Sequence, residues 1–565
     1  MIWTTTALAL LVVVGETDQS SMMPLSDIPR WCGKPYQKGL PNLPPHGVLQ
    51  PPAVSSDPML FVQVTSRHSI YDSSEPTGEL IVQASISYTH GESFKDAASA
   101  PLESLGFDIR VEDTDLLLLS ASIDINARPQ VFEFPFSALT PRLKPFHVIL
   151  HGGPVGASGH EKYITTTDLY YLPSKNSGST VKIDNLNGGM LVANHITNYA
   201  FEAFFSFGFY TSCSGYLNYS LANVLAYRDL GFNAVNPVCA FTDGDLEYLY
   251  DCLDEANLWY QYDMRGSYLN LSTVAEQIPL IKDRSAFLSW YTADEPDGWQ
   301  HPLNATLAAY TLLKEQDPYH PTGLVLNCDN YYFEQYSAGA DYLMEDAYPI
   351  GINPIYSRPW DTTCNETYGD CGCDNCVGGL QDVSDRLDSY FVYQDWLGEW
   401  QKPLWAILQA FSGEGYWDRD PTMKESWAMM LLSLNHGAKA IMSWLFPTTD
   451  PLSAAHAAFA KVATSAPVSS FLMSTQPTRI APEGGSLLDV AYWGVEKQVM
   501  VGLVNLDYYD SHRTVSVELP MTINRVALQL WGSRSWSLSR GPNDSTIMST
   551  QGLEGFATSI FILDM

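Results

Sequence analysis

The chain has 565 residues, too many for one ordinary hydrophobic core, and this length predicts about two to four domains. It is strongly acidic, with 63 Asp and Glu against 30 Lys and Arg and a net charge of −33. A surface of this sign repels nucleic-acid phosphates and anionic lipids, so neither a nucleic acid nor a membrane is an expected partner. Aromatic residues reach 12% of the chain and charged residues only 16%, which excludes a disordered protein.

The N-terminal sequence "MIWTTTALALLVVVG" contains an apolar run from Ala7 to Val14. It predicts a secretory signal over residues 1–15, although no Lys or Arg precedes the run; the alternative is a short buried strand. No later apolar run is long enough to span a membrane, and the C-terminus has no lipid-anchor tail, so we expect a soluble, secreted, extracellular protein. Five Asn-x-Ser/Thr triplets support export and are candidate glycosylation sites: Asn218, Asn270, Asn304, Asn365 and Asn543.

Nine cysteines also favour an oxidising compartment. Four of them lie close together in "CNETYGDCGCDNC", at Cys364, Cys371, Cys373 and Cys376. In a secreted chain this spacing predicts a loop held by one or two disulfides, whereas a zinc site is the alternative. The odd total leaves at least one cysteine without a partner in the chain.

The pattern of short apolar runs and turns divides the chain into five predicted parts. After the signal, residues 16–56 are rich in Pro, Ser and Gly and form an extended lead segment. Residues 57–190 contain only strand-like runs, such as "MLFVQVTS" and "FHVILHGG", and predict an N-terminal β-sandwich. Residues 467–565 have a similar pattern and predict a C-terminal β-sandwich.

Between these parts, residues 195–466 alternate apolar strand-length runs with stretches of helical periodicity. Strands without polar alternation that are each followed by a helix indicate a parallel sheet covered on its outside. Eight such units predict an α/β fold of the (β/α)8 type, a TIM barrel, with an open doubly wound sheet as the alternative. The predicted strands are "FFSFGFY", "FNAVNPVCA", "LWYQYDM", "AFLSWYTA", "TGLVLNC", "DYLMEDAYP", "PLWAILQAF" and "AKAIMSWLF".

Acidic residues dominate the predicted C-terminal ends of these strands, where the active site of such a barrel lies. Strand four ends in "WYTADEPDGW", with Asp294 and Glu295 before a proline. Two adjacent acids in a partly dry cleft raise one pKa, so a protonated donor stands beside an ionised partner near pH 5 to 6. Protonation of a glycosidic oxygen requires such a donor. The alternative is that Asp294 caps the following helix and Glu295 is a solvated charge.

The ending "WYTADEP" resembles the acid/base strand of clan A glycoside hydrolases, which commonly ends in Asn-Glu-Pro. This resemblance covers the barrel and implies Glu295 as general acid/base, with Asp294 in place of the Asn. The clan's nucleophile is a Glu at the end of strand seven, whereas this chain has Gln409 near that place and Glu414 several residues beyond. The Asp-Glu pair also resembles glycoside hydrolase families 20 and 123, in which Asp orients the substrate's acetamido group and the following Glu is the acid.

A further candidate for the second carboxylate follows strand six, in "LMEDAYP". Because side chains alternate along a strand, Met344 and Asp346 share one face and Glu345 the other. We therefore expect Asp346, Asp294 or Glu414 to act with Glu295.

Polar and aromatic residues near the strand ends are candidate substrate-binding groups, since flat apolar rings stack on sugars. Core packing is the alternative for each aromatic residue. The set comprises Asp263, Arg265, Trp290, Tyr291, Asn327, Tyr348, Gln409, Trp417 and Trp444.

The sequence contains no HExxH, P-loop or dinucleotide-binding motif, so neither a cofactor nor a metal is predicted. The leading hypothesis is a secreted glycoside hydrolase, of a fungal type, that acts on extracellular oligo- or polysaccharide by carboxylate acid/base catalysis. The alternatives are a substrate-assisted β-N-acetylhexosaminidase that uses Asp294 and Glu295, and a non-catalytic carbohydrate-binding or cell-wall protein.

Overall fold

The computed structural model describes residues 28–93, 103–154, 162–239, 245–480, 487–541 and 544–565. The predicted signal and Asn543 lie outside these residues. Eight parallel strands form a closed barrel in chain order, and pairing of Phe207 with Ile441 closes the ring. The barrel strands are β1 Phe207–Ser212, β2 Ala234–Val238, β3 Trp259–Asp263, β4 Phe287–Asp294, β5 Thr322–Leu326, β6 Tyr342–Glu345, β7 Leu404–Gln409 and β8 Ile441–Phe446.

Helices follow the strands and cover the outside of the barrel, which confirms the predicted (β/α)8 architecture. The helix α9 lies in the segment where the sequence predicts the start of the C-terminal sandwich. The helices are α1 Leu221–Asp229, α2 Leu246–Ala256, α3 Leu271–Ile281, α4 Ala305–Gln316, α5 Phe333–Ser337, α6 Gln381–Leu397, α7 Met423–Asn435, α8 Asp450–Ala463 and α9 Ala466–Ser474. Single turns occur at Phe136–Ala138 and Cys213–Leu217.

The barrel strands are buried on both faces, which explains their continuous apolar sequences. Tyr291 and Met344 point into the barrel, whereas Trp290 and Leu343 pack outward against the helices. Alternation along each strand therefore decides which side chains reach the interior.

The N-terminal region forms two four-stranded antiparallel sheets that share one hydrophobic core, as predicted. The first sheet contains Glu92–Ser93, Met59–Ser66, Thr77–Ser87 and Gln130–Pro135, and the second contains Tyr163–Leu169, Phe146–Pro154, Ser104–Val111 and Leu116–Asp124.

Smaller sheets connect this region to the barrel. A three-stranded sheet of Thr180–Ile183, Met190–Ala193 and Glu202–Phe204 packs Ile183 and Met190 against the barrel interior at the N-terminal ends of the strands. The other small pairings are Arg30–Trp31 with Lys34–Pro35, Tyr71–Asp72 with Tyr171–Leu172, and Tyr356–Ser357 with Thr362–Thr363.

The C-terminal region also forms two antiparallel sheets around a core of its own. It packs on the barrel through α7, where Asn435 donates a hydrogen bond of 2.6 Å to Asp489 and Trp427 contacts Trp531. The first sheet contains Thr478–Ile480, Leu488–Val495, Gln498–Asn505, Thr558–Asp564 and Arg525–Trp531, and the second contains Val515–Leu519, Ser545–Ser549 and Ser537–Arg540.

Four disulfides join the cysteines, and Cys252 is a buried free thiol. Two of the disulfides lie in the predicted cysteine-rich loop, Cys364–Cys371 and Cys373–Cys376. The other two are Cys213–Cys239, and Cys32–Cys328, which ties the lead segment to the end of β5. In the part of the chain that the structure describes, no helix is long and apolar enough to cross a membrane. Asn218, Asn270, Asn304 and Asn365 are exposed.

Candidate active site

A cleft of about 490 Å³ lies at the C-terminal ends of the barrel strands. Carboxyl groups from β4 and β6 line it, together with Asn327 after β5. Ten aromatic side chains form much of its wall: Trp31, Tyr36, Tyr210, Trp299, Tyr348, Trp360, Phe411, Tyr416, Trp417 and Trp444. The cleft therefore combines acid groups with flat apolar surfaces.

The end of β4 turns its two acids toward this cleft. The pairing with β5 slips by one residue between Tyr291 and Asp294, a β-bulge that changes the side-chain alternation. The next residue, Glu295, has φ of +49°, in the left-handed region that non-glycine residues seldom adopt. Both departures from a regular strand occur at the two residues that the sequence marks as candidates.

Asp297 holds this turn against the end of β5. Its buried carboxyl group accepts backbone N–H bonds from Gly298 at 2.9 Å, Asn327 at 3.2 Å and Cys328 at 2.9 Å. Burial raises the pKa of Asp297 to about 7 even though these three donors lower it. The acidic motif thus has two separate parts, because Asp297 is structural while Asp294 and Glu295 line the cleft.

Glu295 and Asp346 accept hydrogen bonds from the same donor and influence each other's pKa. The side-chain amide of Asn327 donates to both, at 3.0 Å to Glu295 Oε1 and 3.1 Å to Asp346 Oδ1. Glu345 points to the opposite side of β6, where it accepts a bond of 2.9 Å from the Ala347 N–H. Strand alternation therefore brings Asp346, and not Glu345, to the cleft.

The environment of this pair favours one shared proton. Burial is the main cause that raises the pKa of Glu295 well above its usual value, and the charges of Asp346 and Asp294 add to it. Burial also raises the pKa of Asp346, to about 6, although hydrogen bonds from Glu295 and Asn327 lower it. Above about pH 6, and until Glu295 ionises at higher pH, Glu295 holds a proton while Asp346 is ionised.

Asp294 is held by two side chains at the edge of the cleft. Tyr291 donates to Oδ1, and Arg265 donates to Oδ2. Arg265 also bonds Asp263 at 2.8 Å, and its guanidinium lies 5.6 Å from the ring centre of Trp444. Tyr291, Arg265 and Asp263 thus lie behind the cleft and orient Asp294.

The remaining candidates from the sequence fall into three places. Tyr348, Trp417 and Trp444 line the cleft, and Trp417 donates a bond of 2.8 Å to the Tyr348 carbonyl. Glu414 lies at the rim and is exposed. Trp290 is away from the cleft, because it points outward from β4 and donates to Asp317 at 2.9 Å.

Gln409 is likewise buried away from the cleft, where its amide connects two loops. It accepts a bond from the Ile350 N–H at 2.8 Å and donates to the carbonyls of Ile350 and Phe411 at 2.9 and 3.1 Å. The residue nearest to the clan's nucleophile position therefore organises the loops after β6 and β7.

Several lining residues come from segments that the sequence does not mark as part of the site. Trp31 and Tyr36 belong to the lead segment, and Trp360 and Asp370 belong to the cysteine-rich loop region. Trp31 packs edge-to-face on Trp299 at 5.2 Å, and Tyr36 packs on Trp360 at 4.5 Å. In the sequence, these segments stand out only by Trp31, Trp360 and Cys32. None of these residues indicates which part of the chain it contacts.

One group of potential metal ligands lies beside the cleft. Cys32, Cys328 and Asp374 bring ligand atoms within 4.8 Å of one another. The two sulfurs are joined in a disulfide, whereas a cysteine binds a metal ion as a free thiolate. These residues therefore do not form a ligand set.

At the sequence level, no protein-family model and no curated protein matches this chain. The structure is similar to a family 30 subfamily 8 xylanase from Clostridium acetobutylicum, with 10% identity, coverage of 64% of this chain and 96% of that chain, and a TM-score of 0.36. It is also similar to β-glucuronidase 3 from Bacteroides uniformis, with 7% identity, 90% and 73% coverage and a TM-score of 0.32. A third similar structure is the debranching enzyme from Nostoc punctiforme, with 10% identity, coverage of 61% of this chain and 88% of that chain, and a TM-score of 0.37. Similarities of this size carry no information about the reaction or the substrate of this chain.

Proposed function

We propose that this chain is an extracellular glycoside hydrolase in which Glu295 is the proton donor. The observation that carries the proposal is the Glu295–Asp346 pair, bridged by Asn327, in an aromatic cleft at the C-terminal end of the barrel. A protonated carboxyl in a cleft lined by aromatic rings can donate to a glycosidic oxygen as the bond to the leaving sugar breaks. Four disulfides favour an oxidising, extracellular location.

Asp346 acts as the proton partner of Glu295 in this proposal. Asn327 donates a hydrogen bond to both carboxyl groups, and the charge of Asp346 adds to burial in raising the pKa of Glu295. The pair therefore works as a unit that keeps one proton on Glu295 and one negative charge beside it. This charge stabilises the positive charge that develops on the sugar ring.

The group that meets the anomeric carbon is then Asp294, Glu414 or the substrate's own acetamido group. Asp294 lies next to Glu295 and is oriented by Tyr291 and Arg265, whereas Glu414 is exposed at the rim. An oriented Asp beside the acid favours substrate assistance, so a β-N-acetylhexosaminidase is the second candidate. Higher turnover of N-acetylglucosaminides than of glucosides, lost in Asp294→Asn, would support it.

The test of the main proposal is hydrolysis of aryl glycosides and oligosaccharides by Glu295→Gln. We expect kcat/KM to fall by about 10²- to 10⁴-fold, because a positioned general acid contributes roughly that factor. The melting temperature should be retained. Glu315→Gln, an exposed position on α4, is the matched control and should behave as the unchanged protein.

Near-normal turnover in Glu295→Gln would overturn the proposal. Glycan binding without release of reducing sugar by the unchanged protein would instead favour a carbohydrate-binding protein. The burial of Gln409 in loop contacts, with no carboxyl at that place, is the observation that keeps this alternative open.

A further inference from the structure

We propose that the lead segment is a working part of this site: Trp31 fixes the Asn327 amide in the one orientation that donates to both carboxyl groups, and the Cys32–Cys328 disulfide holds Trp31 in place. This inference rests on the proposed function for its catalytic consequence. It makes Trp31 a positioning residue, because it acts on the carboxyl pair through Asn327.

The orientation of the Asn327 amide follows from the chemistry of its neighbours. An indole N–H can only donate, and the Trp31 Nε1 lies 2.9 Å from Asn327 Oδ1. The opposite end of the amide must then be the NH₂ group, whose two hydrogens point to Glu295 and Asp346. A flipped amide would set NH₂ against the indole N–H and an oxygen against two carboxyl groups.

The backbone at Asn327 is held independently of Trp31. Its N–H donates to Asp297 at 3.2 Å, and its carbonyl accepts a bond from the buried Arg386. Loss of the indole donor therefore frees the side-chain amide and leaves the loop in place. This separation makes the role of Trp31 testable by a single substitution.

The Cys32–Cys328 disulfide, which we call the tether, lies next to both Trp31 and Asn327. Cys32 follows Trp31, Cys328 follows Asn327, and the disulfide joins them across 296 positions of sequence. Further contacts clamp the same turn: Gln300 donates to the Arg30 carbonyl at 2.8 Å, and Lys34 pairs with the buried Asp374. Gly33, at φ +75°, lies so close to Tyr331 that a Cβ would come within 2.5 Å of its ring.

The hydrogen bond from the Asn327 amide affects the pKa of Asp346. Donation from Asn327 lowers the pKa of this carboxyl, against burial and the charge of Asp294, which raise it. Without a fixed donor, Asp346 should hold its proton to higher pH. The rising limb of the pH–rate profile should then move upward by about one pH unit, as expected for a lost hydrogen bond to a charged group.

The experiment compares Trp31→Phe with Trp400→Phe, a control that removes an indole donor bonded to the Asn185 carbonyl at 2.7 Å, away from the cleft. Side-chain carboxyl carbons of Asp and Glu, labelled with ¹³C, are titrated by NMR without substrate and assigned with Asp346→Asn and Glu295→Gln. We expect the Asp346 signal to titrate at higher pH in Trp31→Phe and at the original pH in Trp400→Phe.

A double-mutant cycle shows whether the effect passes through Asn327. Asn327→Ala alone should give the same shift, and Trp31→Phe should add nothing in that background. An unchanged titration in Trp31→Phe, or two shifts that add, would overturn the inference. If the unchanged protein hydrolyses no glycoside, the proposed function fails, yet the titration still decides the role of Trp31.

The tether is tested by paired cysteine substitutions. Cys32→Ser/Cys328→Ser should lower the melting temperature and raise the pH at which Asp346 titrates. Cys213→Ser/Cys239→Ser removes a disulfide between the ends of β1 and β2 and should lower the melting temperature only. Equal titration shifts in both double variants would contradict the proposed tether. They would show that lower stability, and not the loss of the Cys32–Cys328 disulfide, changes the pKa of Asp346.

Discussion

The proposed proton donor, Glu295, has an unusual backbone conformation. Glu295 has φ of +49°, a conformation that costs a non-glycine residue about 1–3 kcal/mol. Its N–H still bonds the Val325 carbonyl at 3.2 Å, and Asp297 anchors the turn through three backbone donors. The turn therefore stabilises a conformation that aims the acid into the cleft.

We expect a bell-shaped pH dependence of kcat/KM. The active form needs Asp346 ionised and Glu295 protonated. Burial raises the pKa of Asp346 to about 6, so activity should increase as the pH rises through 6. Burial and neighbouring charges raise the pKa of Glu295 above that of an ordinary Glu, so activity should fall only at higher pH, when this acid ionises.

The measurement is kcat/KM between pH 4 and 9 at constant ionic strength. Asp346→Asn should lower activity and also remove the rising limb, because the group that titrates there is gone. A rising limb near pH 4 in the unchanged protein, typical of a solvated carboxyl, would contradict this assignment.

The site could be predicted from the sequence only where a residue lies at or shortly after the end of a barrel strand, because the barrel fold then places it at the mouth. The end of β4 and strand alternation in β6 place Asp294, Glu295 and Asp346 at one barrel mouth. Trp290 looks equivalent in sequence, yet it points outward because it lies on the opposite face of β4 from Tyr291. Trp31 could not be predicted, since its contact with Asn327 spans 296 positions.

At the scale of elements, the alternation of apolar strands and amphipathic helices predicts all eight barrel strands and the helix after each. This succeeds because both faces of each strand are buried, which leaves a continuous apolar run. Strands are harder to predict in the N- and C-terminal sheets, for example at Gln130–Pro135, Arg525–Trp531 and Ser537–Arg540. Many of their residues are exposed, so apolar periodicity is weak there.

Helix α7 links the barrel to the C-terminal sheets and begins with a capping box. The Thr422 hydroxyl accepts a bond from the Glu425 N–H at 3.2 Å, and Glu425 accepts one from the Thr422 N–H at 2.8 Å. Thr422→Ala should lower the free energy of unfolding by about 1 kcal/mol, with kcat/KM unchanged. Denaturant unfolding measures this value.

Thr311→Ala, within α4, is the matched control for that prediction. Among the described residues, its hydroxyl bonds only the Leu307 carbonyl of its own helix, at 2.8 Å. Alanine has a higher helix propensity than threonine, so this variant should be neutral or slightly more stable. Equal destabilisation by both substitutions would mean that the cap makes no special contribution.

At the scale of the whole molecule, the chain has a net charge of −33, and the cleft is also rich in acidic residues. Among the described residues that line it are five acids, Asp294, Glu295, Asp346, Asp370 and Glu414, and none of those lining residues is Lys, Arg or His. Arg265, behind the cleft, is already bonded to Asp263 and Asp294. Arg386, which bonds the Asn327 carbonyl, is a second guanidinium beside the cleft. The five acids outnumber these two cations, so the cleft has a negative potential.

This potential predicts selection by substrate charge. A uronic-acid carboxylate about 5 Å from one of these carboxylates meets a repulsion of roughly 3 kcal/mol at an effective dielectric constant near 20. We expect kcat/KM for aryl glucuronides to be at least tenfold below that for the matching glucosides, with glucosaminides favoured over both at low salt. Because salt screens such interactions, the ratios should approach one as ionic strength rises. A preference for the glucuronide at low salt would show that a cation outside the described lining residues reaches the substrate, and the assignment of a neutral or amino-sugar substrate would be wrong.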